Sequence, residues 1–442
     1  MKVTAVFDIG KTNKKILLFD EGLKKVMQKE TSFPEITDDD GFRCDDIEKI
    51  EEWILETMNE LTNSDEYEIT AVNFATYGAT VVYLGKDGKR LTPLYNYEKP
   101  LHLPVDDEIY ERYGGKTEFC RKTASPALGA LNSGFQILDL KRSKPDVWKD
   151  VEHILHFPQY LSYLLTGKIT SEHTSIGCHT ALWDFDDMKY HQWIEDENII
   201  LPAPEDITKP VTIGINGKSL KAGIGVHDSS ASLVPYLMSA KENFILVSTG
   251  TWCINMNPFN HLPLTKEELE SDCLNFLSVN MKPVKSSRLF LGRIHDLNVQ
   301  RLAEHFGVPV DFYKDVEGDE DEIRMLIEKD AVFFNNGVPQ EYVDSSVDLN
   351  VFRDVEQAYR SLTIDLARLV KDSVELVMDA GNRHLYITGG FTRNRIFTKA
   401  MALLFDGKEV YTSEIDNATS LGAAMLVQTK GLKGFDLGLK RV

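Results

Sequence analysis

Gly10, Lys11 and Thr12 follow one another directly after an apolar run that ends at Asp8. Residues of these types can bind phosphate, because backbone N–H groups in a tight turn form a concave anion site and an ammonium adds positive charge. A Walker A loop also places such residues together, but it needs another glycine five positions before Gly10 and a helix after Thr12. Position 5 is Ala5, which excludes a Walker A loop.

The residues on either side of this turn predict a hairpin. Residues 3–7 are apolar and rich in β-formers, and a second run of this kind follows Asn13 at 15–20. The order is therefore strand, tight polar turn, strand. Polar hairpin turns are common in proteins that bind no phosphate. From this turn alone, both a phosphate site and an ordinary hairpin therefore remain open.

A second hairpin is predicted near the middle of the chain. The apolar runs at 244–247 and 252–256 flank a small polar turn that contains Gly250 and Thr251. This repeats the organisation of the first hairpin with little sequence identity, so we interpret it as a structural repeat of the opening unit.

A third stretch combines a strand with a glycine pair. The apolar run at 385–388 leads into Gly389 and Gly390, and a predicted helix follows through 396–404, just after Asn394. Backbone can approach an anionic ligand where a strand, glycines and a helix N-terminus meet, although an ordinary βα turn has the same pattern. Three such turns in one chain predict a phosphate site more strongly than any one of them.

The elements that must position these turns mix helices and strands. Helical spacing of apolar residues predicts helices over 47–61 and 355–377, and the segment 105–166 is predicted to be mainly helical, ending at Gly167. Further strands are predicted at 72–74 and 81–84. The spacing of His153 and His156 resembles a metal pair but has no supporting third ligand, so we interpret both as helix or packing residues.

Composition restricts the class of protein. A chain of 442 residues is long for one core, which favours two domains. The formal charge of −20 argues against nucleic acid as the main partner. No apolar run approaches the roughly 20 residues that span a bilayer, and an opening strand leaves no room for a signal peptide. The acidic runs at 38–40 and 317–322 are interpreted as solvated loops.

The five cysteines are an odd number without a CxxC pair, which favours reduced thiols in a cytoplasmic protein.

Seven stretches, in order along most of the chain, resemble the FGGY carbohydrate kinases. They are FDIGKTNKK (7–15), SGFQILDLKRSKPDVW (133–148), QYLSYLLTGKITSEHTSIGCHTALWDF (159–185), GVHDSSAS (225–232), LVSTGTW (246–252), TGGFTRN (388–394) and ATSLGAAM (418–425). The first resembles the family's D-x-G-T-T-S phosphate hairpin, the fourth its G-x-x-D-x-x-A catalytic motif, and the sixth its G-G-x-x-x-N nucleotide motif. Each match alone has little weight, but seven in order make the resemblance specific.

The resemblance implies an α/β fold of two actin-like (ribonuclease H-like) domains, over 1–238 and 239–442, with an ATP and sugar cleft between them. It implies ATP and Mg²⁺ as cofactors and a small sugar as substrate, with no nucleic-acid or membrane partner, and we expect a monomer or homodimer.

The resemblance also assigns roles to individual residues. Asp228 is expected to accept the proton of the sugar hydroxyl, although an aspartate before Ser229 is also typical of a helix N-cap. Asp8 is expected to anchor Mg²⁺, through water because Mg²⁺ keeps much of its hydration shell. The sugar side is expected to include Tyr77, Gly78, His227 and Asp228, although His227 can equally be a structural histidine. The nucleotide is expected to contact Asp8, Gly10, Lys11, Thr12, Asn13, Lys15, Gly250, Thr251, Gly389, Gly390 and Asn394.

The sequence departs from the family at three places. Lys11 replaces a small hydroxyl residue, and its ammonium is expected either to reach the β- and γ-phosphates or to lie in solvent. Asn417 stands where a glutamate is usual, and the stretch at 332–339 replaces the family's P-Y-L-x-G-E-R. These departures bear on the sugar and the nucleotide preference.

Within the family, His227 before Asp228 and the run Ser-Thr-Gly-Thr-Trp at 248–252 look most like L-rhamnulose kinases. We therefore expect L-rhamnulose or a related deoxyketose such as L-fuculose as the acceptor. Xylulose or another pentulose remains an alternative, as do an actin-like structural protein and a pseudo-kinase.

Overall fold

A computed structural model describes residues 1–329, 333–335, 337–338, 342–428 and 435–442 of the chain. Residues 332, 336 and 339 of the stretch at 332–339 lie outside the described residues. None of the helices in the described ranges is long and apolar enough to cross a membrane.

The first half of the chain opens with five strands, after which helices and strands are mixed. Its strands are β1 (Lys2–Ile9), β2 (Lys14–Asp20), β3 (Lys25–Thr31), β4 (Ile36–Thr37), β5 (Arg43–Cys44), β6 (Glu68–Thr76), β7 (Val81–Leu84), β8 (His153–His156), β9 (Ser171–Glu172), β10 (Trp183–Asp184), β11 (Lys189–Tyr190), β12 (Pro204–Glu205), β13 (Val211–Ile215), β14 (Lys218–Ala222) and β15 (Val226–His227). Its helices are α1 (Ile47–Asn63), α2 (Val105–Arg112), α3 (Lys116–Thr123), α4 (Ser133–Ser143), α5 (Pro145–Trp148), α6 (Phe157–Thr166), α7 (His173–Ile176), α8 (Gln192–Asp196) and α9 (Asp228–Ser239).

The second half begins with a new strand hairpin. Its strands are β16 (Phe244–Thr249), β17 (Cys253–Asn257), β18 (Cys273–Leu277), β19 (Pro283–Leu289), β20 (His384–Gly389), β21 (Glu409–Ser413) and β22 (Leu439–Arg441). Its helices are α10 (Lys266–Glu270), α11 (Leu291–Phe306), α12 (Glu320–Glu328), α13 (Val355–Glu375), α14 (Arg395–Leu404) and α15 (Ala418–Val427).

Each half is built around one mixed sheet with the same central unit. In the first sheet, of order β13-β14-β6-β1-β2-β3 with β15 also on β6, β1 pairs antiparallel with β2 and parallel with β6. In the second, of order β18-β19-β17-β16-β20-β21-β22, β16 pairs antiparallel with β17 and parallel with β20. Both predicted hairpins are confirmed, and so is the structural repeat.

The central strands are apolar because protein covers both of their faces. β1 lies between β2 and β6, and nearly all of its residues are buried. Phe7 stacks on Phe74 of β6 with ring centroids 5.6 Å apart, and the edge of Trp53 of α1 meets its ring at 5.3 Å. Burial on both faces explains why the sequence shows a continuous apolar run there.

The predicted helices at 47–61 and 355–377 are confirmed, but the segment 105–166 is less helical than predicted. Residues 153–156 form β8, which pairs antiparallel with β7. His153 and His156 therefore lie on a strand, and the predicted helix is wrong there. His156 is a packing residue as predicted, since it is buried and its Nε2 lies 3.2 Å from the hydroxyl of Ser133. α6 ends at Gly167, which has a left-handed conformation.

The acidic run at 38–40 is a solvated loop only in part, because Asp39 and Asp40 are exposed but Asp38 is not. Asp38 is buried and accepts a hydrogen bond from Lys99 at 2.7 Å, and Asp40 accepts one from Lys144 at 2.6 Å. Although burial opposes it, bonding to both lysines lowers the pKa of Asp40 to about 2. For Asp38 the prediction was wrong, because its lysine partner lies 61 residues away in the chain and gives no local signal.

The second run, 317–322, is mostly exposed, and its last residues begin α12. All five cysteines are buried free thiols, as predicted.

Two helices cross between the halves. α15, late in the chain, packs against β1 and β6 of the first sheet and against α9. α9 in turn contributes Leu233 and Tyr236 to a core that contains Phe244 and Tyr386 of the second sheet. This packed pair of helices therefore connects the two sheets.

Gly422 allows these two helices to approach closely. A Cβ at this position would lie 1.9 Å from the carbonyl oxygen of Ala231 in α9. We therefore expect Gly422→Ala to force α9 and α15 apart and to lower the free energy of unfolding by about 1–3 kcal/mol, as overpacking typically does. The shift of the thermal unfolding midpoint measures this effect.

A suitable control is Gly214→Ala, because a Cβ at this position would meet no heavy atom within 4 Å. Equal midpoints for the two variants would show that the close approach contributes nothing to stability.

Candidate active site

Three parallel strands of the first sheet end at the same edge. β6 runs parallel to both β1 and β15, so residues that follow each strand lie near one another. This edge carries Asp8 at the end of β1, Tyr77 and Gly78 after β6, and His227 and Asp228 at the junction of β15 and α9. The structure thus brings together all of the residues that the sequence assigned to the sugar side.

The first predicted phosphate turn closes at this edge. The Gly10 N–H donates to the carbonyl of Asn13 at 3.0 Å, and Thr12 and Asn13 are exposed at the turn. Lys15 lies opposite Asp8 in the antiparallel pair. The turn is accessible to a ligand, and its role in phosphate binding stays a prediction.

Asp8 is a partly buried carboxylate with one hydroxyl partner. The Ser420 hydroxyl, in the first turn of α15, donates to its Oδ2 at 2.6 Å. Burial raises the pKa of Asp8, the hydrogen bond from Ser420 opposes this rise, the charge of Asp228 adds to it, and the charge of Lys15 opposes it. A hard carboxylate oxygen beside an exposed polar turn fits the ligand chemistry of Mg²⁺.

Asp228 is the first residue of α9, and its carboxylate faces the same region as Asp8. Its Oδ1 accepts hydrogen bonds from the Ser229 N–H at 2.5 Å and the Ser229 hydroxyl at 3.2 Å. About 35% of the Asp228 side-chain surface is accessible, and burial of the remainder raises the pKa of its carboxylate to about 6. The carboxylate is therefore a stronger proton acceptor than an exposed aspartate.

The alternative interpretation of Asp228 as an N-cap does not match the geometry. The N-cap position belongs to His227, whose side chain makes no capping hydrogen bond. A capping carboxylate accepts from an N–H two or three residues ahead, whereas Asp228 accepts from the next residue.

His227 is buried between Asp228 and a thiol. Its Nε2 lies 3.2 Å from Oδ1 of Asp228 and 3.5 Å from Sγ of Cys178, and its Nδ1 lies 3.4 Å from the Ser230 hydroxyl. Burial lowers the pKa of His227 to about 4, so the imidazole is neutral near pH 7. A Cβ at position 78 would lie 3.0 Å from the His227 ring, which explains the glycine there.

The second and third predicted turns meet in the second sheet. Thr249, just before Gly250, pairs with Gly389 across the parallel strands β16 and β20. Gly389 has φ +88°, and a Cβ there would lie 1.8 Å from the Thr249 carbonyl, so only glycine fits. A Cβ on Gly390 would meet no atom within 4 Å, which leaves the space above this backbone open.

Gly250 and Thr251 are exposed at the turn between β16 and β17. The Gly292 N–H, at the start of α11, donates to the Thr251 carbonyl at 3.0 Å, and this bond fixes the turn against α11. Trp252 follows the turn and stacks on Phe290 with ring centroids 4.2 Å apart.

Asn394 has a structural role in addition to its predicted one. Its Oδ1 accepts from the Phe397 N–H at 3.0 Å and caps α14, while its Nδ2 donates to the Tyr359 hydroxyl at 2.9 Å. Asn417, which departs from the family pattern, has φ +54° and occupies the N-cap position of α15. Asparagine tolerates this left-handed conformation better than glutamate does.

Lys11 does not lie free in solvent. Its ammonium donates to Oδ2 of Asp45 at 2.8 Å and lies 3.4 Å from Oε1 of Glu35. Burial works against its charged form, but hydrogen bonds and charges from the two carboxylates outweigh burial and raise the pKa of Lys11. The solvent alternative is therefore wrong.

Sequence reasoning missed Ser420, Cys178 and Asp45. Each contacts a predicted site residue from a distant segment, so no spacing pattern connects them. Ser420 lies inside a recognised stretch, ATSLGAAM, and that position was the one signal that pointed to it.

The two halves match two domains of one family. Residues 3–200 match the N-terminal domain of the FGGY family of carbohydrate kinases, and residues 241–434 match the domain described as carbohydrate kinase FGGY, C-terminal domain. A rhamnulokinase of Oceanobacillus iheyensis is 22% identical over 436 residues, which cover 91% of this chain and 87% of the relative. A rhamnulokinase of Yersinia pestis is 27% identical over 239 residues, which cover 52% of this chain and 48% of the relative.

Solved structures share the fold. A carbohydrate kinase from Novosphingobium aromaticivorans has a TM-score of 0.81 at 23% identity and covers 99% of this chain and 93% of that chain. A ligand-bound xylulose kinase from Lactobacillus acidophilus has a TM-score of 0.75 at 16% identity, and the match covers 100% of this chain and 93% of that chain. These likenesses confirm the predicted α/β fold with two actin-like domains.

The burial of Asp228 predicts a measurable cost to stability. Because its pKa is higher in the folded protein than the ordinary value of 3.8, the folded state binds the proton more tightly than the unfolded state. Above about pH 6 the ionised carboxylate therefore destabilises the fold. Asp228→Asn should raise the thermal midpoint at pH 8, and this gain should shrink as the pH falls from 6 to 4.

The control is Asp187→Asn, at an exposed aspartate of the first half. A gain that is independent of pH, or a loss at pH 8, would contradict the raised pKa of Asp228.

Proposed function

Because this chain belongs to the FGGY family of carbohydrate kinases and is therefore an ATP-dependent sugar kinase, we propose that its acceptor is a ketose. L-rhamnulose, or a related deoxyketose such as L-fuculose, is the acceptor we favour. The full-length relative at 22% identity is a rhamnulokinase, which supports this choice. Xylulose or another pentulose is the second candidate, since xylulose kinases share the fold.

The observation that carries the proposed mechanism is the meeting of Asp8, Tyr77 and Asp228 at one sheet edge. Asp228 takes the proton from the sugar hydroxyl as the hydroxyl oxygen attacks the γ-phosphorus, and ADP leaves. His227 lies 3.2 Å from the Asp228 carboxylate as a neutral imidazole and helps to orient it. Tyr77 and Gly78 border the sugar beside it.

The nucleotide side of the proposal uses the three turns. Backbone and hydroxyl groups of both hairpins hold the β- and γ-phosphates, and the glycine pair lies near the α-phosphate and adenosine. Asp8 would hold Mg²⁺, and the bound ion would supply positive charge that offsets the charge of the phosphates. The residues involved are Asp8, Gly10, Thr12, Asn13, Lys15, Gly250, Thr251, Gly389, Gly390 and Asn394.

We further propose domains at 1–238 and 239–442, a cytoplasmic location, and a monomer or homodimer. A structural actin-like protein needs no proton acceptor with a raised pKa beside a pair of sugar-side residues, and a pseudo-kinase needs none either. Asp228 thus argues for the enzyme over both alternatives.

A panel of acceptors tests the substrate class. We expect kcat/KM, measured as ADP release, to be higher for L-rhamnulose or L-fuculose than for D-xylulose, and higher for any of these ketoses than for glycerol. A D-xylulose preference would move the assignment to the pentulose kinases. A higher kcat/KM for glycerol than for every ketose would overturn the ketose assignment.

Asp228→Asn tests the mechanism. Loss of a general base typically lowers the rate by about 10²–10⁴-fold, while Asn keeps the size of the side chain and its bond from Ser229. In the wild type, kcat/KM should fall as the pH drops through about 6, because protonated Asp228 cannot accept a proton.

In Asp228→Asn, kcat/KM should no longer fall as the pH drops through about 6. Asp187→Asn should keep both the wild-type rate and this fall. Asp228 would be excluded as the base if kcat of Asp228→Asn stayed within a few-fold of wild type and kcat/KM still fell below about pH 6.

A further inference from the structure

Lys11 is held in one position by a buried carboxylate. Asp45 accepts hydrogen bonds at 2.8 Å from the ammonium of Lys11, the ammonium of Lys14 and the hydroxyl of Tyr77. Although burial opposes it, hydrogen bonds from both lysines lower the pKa of Asp45. Since Asp45 and Lys14 are almost fully buried, this carboxylate cannot follow a moving partner. Asp45 therefore fixes Lys11 relative to Tyr77.

Tyr77 lies in the part of the site where the sugar is predicted to bind. Tyr77 directly precedes Gly78, which packs on the His227 ring, and His227 lies beside Asp228. The Lys11 ammonium lies 5.9 Å from the centroid of the Tyr77 ring. Lys11 belongs by sequence to the phosphate turn, but its charged group points toward the elements that border the acceptor.

A second tyrosine lies on this side as well. The edge of Tyr97 meets the Tyr77 ring, with centroids 6.0 Å apart. Burial raises the pKa of Tyr97, the charge of Asp228 adds to the rise, and the charge of Lys11 opposes it. Aromatic rings of this kind offer apolar surface to the C–H groups of a sugar and a hydroxyl to its oxygens.

The charge state of Lys11 suits a neutral partner better than phosphate. In the part of the chain that the structure describes, its ion-pair partners are Asp45, which it shares with Lys14, and Glu35, so two carboxylates balance the two ammoniums and leave no net positive charge for a phosphate. An ammonium has three N–H donors, so one remains beyond these two. The side chain keeps 27% of its surface accessible, which is enough for a ligand atom to reach it.

We propose that Lys11 is a sugar-binding residue, whose remaining N–H donates to a hydroxyl or carbonyl oxygen of the ketose while Tyr77 and Tyr97 contact its carbon chain. This inference rests on the proposed function. It replaces the expectation that Lys11 binds the nucleotide phosphates, and it makes Lys11 a determinant of acceptor specificity.

The test compares the KM for sugar and for ATP in Lys11→Met, which keeps the length of the side chain but removes the charge and the donors. With L-rhamnulose, L-fuculose and D-xylulose as acceptors, the KM of the preferred ketose should rise about 10-fold to 100-fold, as loss of a charged hydrogen bond typically causes. The KM for ATP should change less than 2-fold. A rise in KM for ATP equal to or larger than that for the sugar would overturn the inference, as would an unchanged sugar KM.

Two further variants make the outcome decisive. Lys11→Gln keeps an N–H donor for Asp45 but loses the charge, so the KM for sugar should rise less than in Lys11→Met, and this variant answers the question if Lys11→Met fails to fold. The matched control is Lys168→Met, whose lysine pairs with Glu205 at 2.5 Å and should leave both KM values unchanged.

A wild-type protein that phosphorylates none of the three ketoses would overturn the proposed function together with this inference. An active wild type whose sugar KM is unaffected by both Lys11 variants would overturn the inference alone.

Discussion

The parallel pairing of β6 with both β1 and β15 sets the position of the candidate active site. Parallel strands end at the same edge, so Asp8, Tyr77 and Asp228 meet although 220 positions separate the first from the last. β1 is buried on both faces, and a shift of its pairing by one residue would exchange the side chains that pack on the two faces. The chemistry at this edge therefore depends on apolar packing at a distance from it.

The buried carboxylates at this edge fall into two classes. Asp45 has two ammonium partners that lower its pKa in spite of burial. Asp8 and Asp228 have hydroxyl or backbone partners, and burial raises the pKa of both. Carboxylates whose burial is poorly compensated are concentrated at functional sites. The contrast separates a carboxylate that positions other residues from two that are available to ligands.

The sequence predicted what local pattern determines. Both hairpins follow from apolar runs around short polar turns, and α1 and α13 follow from helical spacing. The turns also pointed to Gly389, whose positive φ and contact with Thr249 require glycine. Long-range partners were not predictable. Ser420 reaches Asp8 across 412 positions, and Asp38 finds Lys99 across 61, because tertiary structure alone brings these pairs together. β8 was assigned to a helix because a strand of four residues, with only Ile154 and Leu155 apolar, is too short to show its period.

The crossing of α15 onto the first sheet has a consequence for synthesis of the protein. The Asn73 side chain of β6 donates to the Ala423 carbonyl at 2.8 Å, and Gln428 donates to the Thr4 hydroxyl at 3.0 Å. A ribosome completes β1 and β6 some 340 residues before it makes these partners. At about 5–20 residues per second, the face of the sheet that α15 covers stays exposed for roughly 20–70 s. During that time the nascent chain presents apolar surface to chaperones, and the first half acquires its complete core only when the second half has been translated.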